Sequence, residues 1–182
     1  MHSSPSIGLF YGSSTCYTEI VSEKISQIIK ELLGEDCVQL HNIADESLAK
    51  AQGFKYLIMG IPTWDYGELQ EDWEEVWPEL NELQLSQTKV ALFGLGDQVG
   101  YPEWFLDAMG YLHQQLQIRD AKMVGYWPVD TYKFDASQAL TADKTQFLGL
   151  ALDEENEFDL SDQRIRTWCT QVLQEFGLLG ND

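Results

Sequence analysis

Three short stretches carry the residues that could do chemistry. The first, Gly12-Ser13-Ser14-Thr15-Cys16-Tyr17-Thr18, follows the apolar run Ile7–Tyr11 and precedes a helical pattern. Ser13, Ser14, Thr15 and Thr18 supply hydroxyl donors. A helix starting there adds free N–H groups and a positive dipole end. A nucleoside triphosphate loop, GxxxxGK(S/T), needs a lysine on the outer phosphates. The nearest here is Lys24, about two helical turns further on. The dinucleotide fingerprint GxGxxG is absent too. Two readings fit the stretch: a pocket for one phosphate monoester bound without a countercharge, or a Ser/Thr-rich helix cap.

The second stretch is Gly60-Ile61-Pro62-Thr63-Trp64-Asp65-Tyr66-Gly67. An indole in a turn packs on something flat or folds back onto the core. The third is Gly94-Leu95-Gly96-Asp97-Gln98-Val99-Gly100-Tyr101, where glycines allow close backbone approach to a ligand and Tyr101 gives a second aromatic. Two aromatics at one sheet edge could sandwich a planar ring. No stretch pairs a nucleophile with a base. His2, His41 and His113 lie elsewhere, and Asp65 and Asp97 read as turn formers before acid and base. A helix N-terminus could favour a thiolate at Cys16, but no second cysteine or histidine is nearby in sequence, so packing is its expected role. No residue is assigned a catalytic or metal-binding role.

These stretches need a scaffold that brings them together. Near-continuous apolar runs at 7–11, 37–40, 56–60, 90–94, 123–126 and 147–151 suit strands covered on both faces. Helical patterns alternate with them. Val21, Ile25, Ile28 and Leu32 mark one, and Leu69, Trp73, Val76 and Leu80 a second that Pro78 ends or bends. A third starts after Pro102 and runs through Phe105, Met109, Leu112 and Leu116. The last has Ser161 as N-cap, buries Ile165, Trp168, Val172 and Phe176, and stops at Gly177. Such alternation gives a doubly wound α/β fold, in which ligands bind beyond the carboxyl ends of the strands. Residues 1–182 read as a single domain, with 1–5 a possible disordered tail. The mixed stretch at about 128–146 reads as an insertion splitting the last strand.

The chain of 182 residues carries 30 acids against 11 bases, a net charge of −19. Residues 56–88 contain no Lys or Arg but eight acids, from Asp65 to Glu82. Nucleic-acid binding needs a basic footprint and is disfavoured. An acidic face can steer basic protein partners, or it can serve solubility alone. Three widely spaced cysteines argue for a reducing compartment, and no segment is apolar enough to span a membrane. A cytoplasmic location is expected.

A single phosphate pocket and an aromatic sandwich on a doubly wound sheet describe a site for flavin mononucleotide (FMN). On the residues of the three stretches, the chain closely resembles the long-chain flavodoxins over essentially its whole length. The resemblance implies a flavodoxin-like doubly wound five-stranded parallel sheet, order 2-1-3-4-5, with an insertion splitting the last strand. It implies tight, non-covalent FMN. The phosphate would lie in Ser13-Ser14-Thr15-Cys16-Tyr17-Thr18, and the ring between Pro62-Thr63-Trp64-Asp65-Tyr66-Gly67 and Leu95, Gly96, Asp97 and Tyr101. Trp64 and Tyr101 would flank the ring, and Glu155 is matched to the ribityl chain. Most members carry T-G-N-T where this chain has Thr15-Cys16-Tyr17-Thr18, and some carry Gly at Tyr66. A turn demanding positive φ at Tyr66 would cost about 1 kcal/mol or more.

The function so implied is a low-potential one-electron carrier, not an enzyme. It would be a monomer that meets basic-faced redox proteins, a flavodoxin reductase and acceptor enzymes, in transient complexes. The alternative on the same scaffold is an FMN-dependent NAD(P)H quinone or azo reductase. A third possibility is a flavin-free scaffold module, against which the loop aromatics argue.

Overall fold

The computed structural model describes residues 6–180, so the stretch read as a tail lies outside the described residues. In chain order the strands are β1 (Ile7–Tyr11), β2 (Val38–Asn42), β3 (Tyr56–Trp64), β4 (Glu68–Leu69), β5 (Lys89–Leu95), β6 (Lys122–Val124), β7 (Trp127–Pro128), β8 (Gln146–Phe147) and β9 (Leu150–Leu152). The α-helices are α1 (Tyr17–Leu33), α2 (Glu71–Val76), α3 (Asp107–Ile118) and α4 (Ser161–Phe176). The main sheet runs β2-β1-β3-β5 in parallel, and two short strands share its fifth place. β6 pairs with Lys89–Ala91 and β9 with Phe93–Leu95, both parallel. The last strand is therefore split, and the order is 2-1-3-4-5 by position.

Each apolar run feeds two cores because successive strand side chains point to opposite faces. Ile7, Leu9 and Tyr11 of β1 face the side covered by α1 and α4, while Phe10 faces the other. Ala91, Phe93 and Leu95 of β5 join the first core, and Val90 and Leu92 join Leu106, Met109, Leu112 and Leu116 in the second. Burial on both sides explains why these strands lack polar alternation. Pro78 acts as its chemistry requires: α2 ends at Val76 and a 3-10 turn, Trp77–Glu82, takes over.

Three expectations are corrected. The third helix starts at Asp107 rather than after Pro102. Leu106 adopts a left-handed φ of 62°, and the Pro102 carbonyl accepts the N–H groups of Asp135 (2.8 Å) and Ala136 (3.0 Å) instead of starting a helix. Ser161 is the first residue of α4, not its cap, and its hydroxyl donates to Glu154 Oε1 at 2.5 Å. The run 147–151 is two strands: β8 pairs antiparallel with β7, and only β9 rejoins the sheet. Gly125, at φ 81°, turns the chain out of the sheet after β6. The excursion then folds against α3, where Gln138 N–H donates to Asp107 Oδ1 at 2.8 Å. A Cβ at Gly110 would lie 2.2 Å from the Gln138 carbonyl oxygen, so only glycine admits this approach.

Candidate functional site

Beyond the carboxyl ends of β1, β3 and β5 lies a cleft of about 210 Å³. All three chemistry-bearing stretches reach it, and no lysine or arginine lines it. Thr15, Tyr17 and Thr18 come from the first stretch. Cys16 sits at the helix entry with φ 70° and ψ −9°, a left-handed conformation, and offers no side-chain cap. The first intrahelical bond runs from Ile20 N–H to the Cys16 carbonyl (2.9 Å). The N–H groups just before it thus have no acceptor within the helix. Ser13 Oγ is buried without a partner among the described residues, and Ser13, Ser14 and Cys16 stand outside the cleft lining. Ser14 Oγ is fixed, accepting from Gln70 Nε2 at 2.9 Å. The Cys16 side chain is exposed and packs into neither core.

The second stretch contributes Pro62, Thr63, Trp64 and Asp65 to the lining. Thr63 and Trp64 extend β3 into a hairpin, pairing with Leu69 and Glu68 of β4. Thr63 Oγ1 accepts the Ala108 N–H of the first turn of α3 at 3.0 Å, which anchors the hairpin base. Trp64 is 38% exposed and faces the cleft, so it does not fold back into the core. The hairpin turn takes its positive φ at Asp65 (44°) and Gly67 (87°), not at Tyr66. Tyr66 and Gly67 stand outside the cleft lining.

From the third stretch, Leu95, Gly96, Asp97 and Tyr101 line the cleft. Here the glycines also serve packing. A Cβ at Gly94 or Gly96 would meet Leu106, Met109 or Phe105 within 3.3 Å, so they let α3 approach β5. Asp97 is a turn former. Burial opposes its ionisation, but bonds from Gly100 N–H (2.7 Å), Asn156 Nδ2 (2.8 Å) and Val99 N–H (3.1 Å) outweigh it and hold its carboxyl below the usual range. Across the cleft mouth, hydrogen bonding to Asp65 and that residue's charge raise the Tyr101 phenol above its ordinary value.

A fourth loop, 153–157, was largely missed. Buried Asp153 accepts Gln98 N–H (3.1 Å) and Gln98 Nε2 (2.9 Å), bolting the third stretch to the loop after β9. Glu154 joins Glu155 in the cleft lining. The acid-rich Asp153-Glu154-Glu155-Asn156-Glu157 following a strand run was the available signal. Gln70 was missed as well. It is fully buried and bridges Ser14, Asp72 and the N–H of Trp73. A lone glutamine before a helix carries no signal of that reach. His41 stacks on Phe10 (4.4 Å between ring centres) and His113 bonds the Tyr126 hydroxyl (2.7 Å), both outside the cleft lining. Among the described residues no cluster could hold a metal ion, and no helix is long and apolar enough to cross a membrane.

The family model for flavodoxins matches residues 9–168. Flavodoxin 2 of Salmonella typhi is 54% identical over 169 residues, which cover 93% of this chain and 95% of that protein. The flavodoxin of Nostoc sp. (strain PCC 7120 / SAG 25.82 / UTEX 2576) is 46% identical, covering 96% of this chain and 99% of its own. Among solved structures, the flavodoxin of Fusobacterium nucleatum bound to flavin mononucleotide superposes with a TM-score of 0.85 at 29% identity, covering 94% of this chain and 98% of that one. The split fifth strand, the three loops converging on one cleft and these likenesses agree: the chain belongs to the flavodoxin family.

Proposed function

We propose that the protein binds one FMN non-covalently in this cleft and carries single electrons at low potential between partner proteins. The observation that carries this reading is the chemistry of the cleft's two ends. One end offers Thr15 and Thr18 and the first-turn N–H groups of α1, which have no acceptor within the helix, with no lysine or arginine in the lining; the buried Ser13 hydroxyl, without a partner among the described residues, lies in the same loop. That donor set suits a single phosphate monoester. The other end offers Trp64, the last residue of β3, and Tyr101, on the loop after the adjacent β5, as walls for a planar ring. Ser13 to Thr18 would hold the phosphate. Pro62 to Asp65, with Leu95, Gly96 and Asp97, would surround the ring, with Tyr66 and Gly67 completing the turn behind them, and Glu155 would lie toward the connecting chain. Membership of the flavodoxin family supports the assignment.

Bound FMN supplies two successive one-electron steps. The protein's part is to set their potentials and exclude water. Asp65, Asp97, Glu154 and Glu155 line the cleft with no opposing lysine or arginine. Added negative charge beside carboxylates is disfavoured, so the second electron enters at a low potential. Each ~0.06 V of shift in a one-electron couple corresponds to a tenfold change in equilibrium constant. The aromatic walls keep water from both faces of the ring and leave its edge as the exit for electrons. With a net charge of −19, the surface steers basic-faced reductases and acceptors into small, short-lived complexes. A monomer in the cytoplasm completes the reading. The alternative NAD(P)H quinone or azo reductase would bind a dinucleotide carrying several phosphates, for which a cleft without lysine or arginine is poorly suited.

The test is direct. Apoprotein titrated with FMN is expected to show quenched flavin and tryptophan fluorescence at one-to-one stoichiometry. Unchanged fluorescence removes the reading. Steady NAD(P)H oxidation by the holoprotein alone, without a reductase, would favour the alternative. Reduction by a basic reductase is expected to slow with added salt, and salt-independent rates would refute the steering.

A further inference from the structure

We infer that Tyr66 is a positioning residue, a brace that ties the loop after β3 to the loop after β5 and sets the spacing of the aromatic walls. This rests on the FMN reading. Tyr66 is 66% exposed, so its ring is not spent on the core. Its ring contacts instead reach the loop after β5. The centroid lies 5.8 Å from the Tyr101 ring at 87°, and 5.0 Å from the Trp104 ring at 78°. Both are the edge-to-face arrangement that aromatic quadrupoles favour. Tyr101 and Trp104 belong to one turn, closed by the Trp104 N–H donating to the Tyr101 carbonyl at 3.2 Å. One ring thus grips two residues of the opposite loop.

The neighbours of Tyr66 make the grip specific. Asp65 lies close enough to raise the Tyr101 phenol above its ordinary value, and a Cβ on Gly67 would lie 3.3 Å from Trp104 Cδ1. The whole turn 65–67 therefore docks on 101–107. At its base the hairpin is fixed by Thr63 on the Ala108 N–H, while at its tip the docking depends on Tyr66. Trp64 sits between these two anchors. Tyr66 thus links the loops that carry the two walls from outside the cleft lining.

Three chains decide the matter: wild type, Tyr66→Ala and Tyr66→Phe. Each is taken as apoprotein for FMN titration, hydrogen exchange and thermal unfolding. Tyr66→Ala is expected to weaken FMN binding about fivefold, the low end for two exposed ring-edge contacts. Amides at 64–68, 101 and 103–105 are expected to exchange faster together in that variant, while its apoprotein unfolds within about 2 °C of wild type, as a substitution of an exposed side chain allows. Tyr66→Phe keeps both ring edges and is expected to match wild type throughout. Equal FMN affinity and exchange in Tyr66→Ala would overturn the brace, as would a Phe variant as weak as the Ala one. A wild type that fails to bind FMN would instead remove the proposed function, and the exchange measurement would still decide whether Tyr66 couples the two loops.

Discussion

Replacing Cys16 by glycine is expected to stabilise the protein while leaving the cleft's chemistry intact. Cys16 holds φ 70° and ψ −9° at the entry to α1. A side chain in that left-handed region costs about 1–2 kcal/mol, because Cβ crowds the neighbouring carbonyl. Glycine removes this cost but gains freedom in the unfolded chain, which offsets roughly 0.4–1 kcal/mol. Nothing else is lost, since the thiol is exposed and caps no N–H. The balance is a gain of about 0.5–1 kcal/mol, which at this chain length raises Tm by about 1–4 °C. Thermal unfolding of apoprotein measures it, with Cys16→Ala as the control. Alanine keeps the strain and loses only the sulfur, so its Tm is expected to match wild type. FMN affinity and both midpoint potentials are expected to stay unchanged in the glycine variant. A lower Tm for Cys16→Gly, or an equal gain for Cys16→Ala, would refute the strain argument. Loss of electron transfer with FMN still bound would show that the thiol has a role of its own.

Three further outcomes follow from the geometry. Burial raises the Asp107 carboxyl above its ordinary 3.8, so its ionised form destabilises the fold once pH exceeds that value, and this cost is absent below it. Asp107→Asn keeps an oxygen for the Gln138 N–H and is expected to raise stability to urea at pH 7 but not near pH 3; an equal gain at both would refute the burial cause. Gln70→Ala breaks the bond to Ser14 and leaves a buried gap, which is expected to cost roughly 1–3 kcal/mol in urea unfolding and to weaken FMN binding; a neutral variant would mean the first loop holds itself. Glu154→Gln with Glu155→Gln removes two charges from the cleft lining and is expected to raise the second midpoint potential by on the order of 20 mV per charge, the size of the interaction of two unit charges roughly 10 Å apart in water; an unchanged potential in spectroelectrochemical titration would refute the electrostatic reading.

The α/β class, the five strand places and the three loops were legible in the chain because burial on both faces forces unbroken apolar runs such as Ile7–Tyr11 and 90–94. The helix patterns were legible for the same reason, since α1 and α4 each bury one stripe. The resemblance to flavodoxins stood on the loop residues themselves. It implied Trp64 and Tyr101 as a pair, and the parallel pairing of β3 with β5 sets their loops side by side.

What stayed illegible depends on residues distant in sequence. The run 147–151 reads as one strand, yet its first residue pairs with β7 and its last two with β5, a division decided by partners twenty and more than fifty positions away. Pro102 has the chemistry of a helix start, but its carbonyl is claimed by the N–H groups of Asp135 and Ala136. Gln70 supports Ser14 across fifty-six positions, and Asp153 holds Gln98 across fifty-five. The left-handed turn at Cys16 looks ordinary as a sequence, because cysteine shows no preference for positive φ. The chain by itself determined which segments are strands, helices and chemistry-bearing loops, since local polarity patterns follow from burial. Only the tertiary structure decided which carbonyls, carboxylates and rings meet across those loops, because each such bond joins groups whose sequence separation carries no periodic signal.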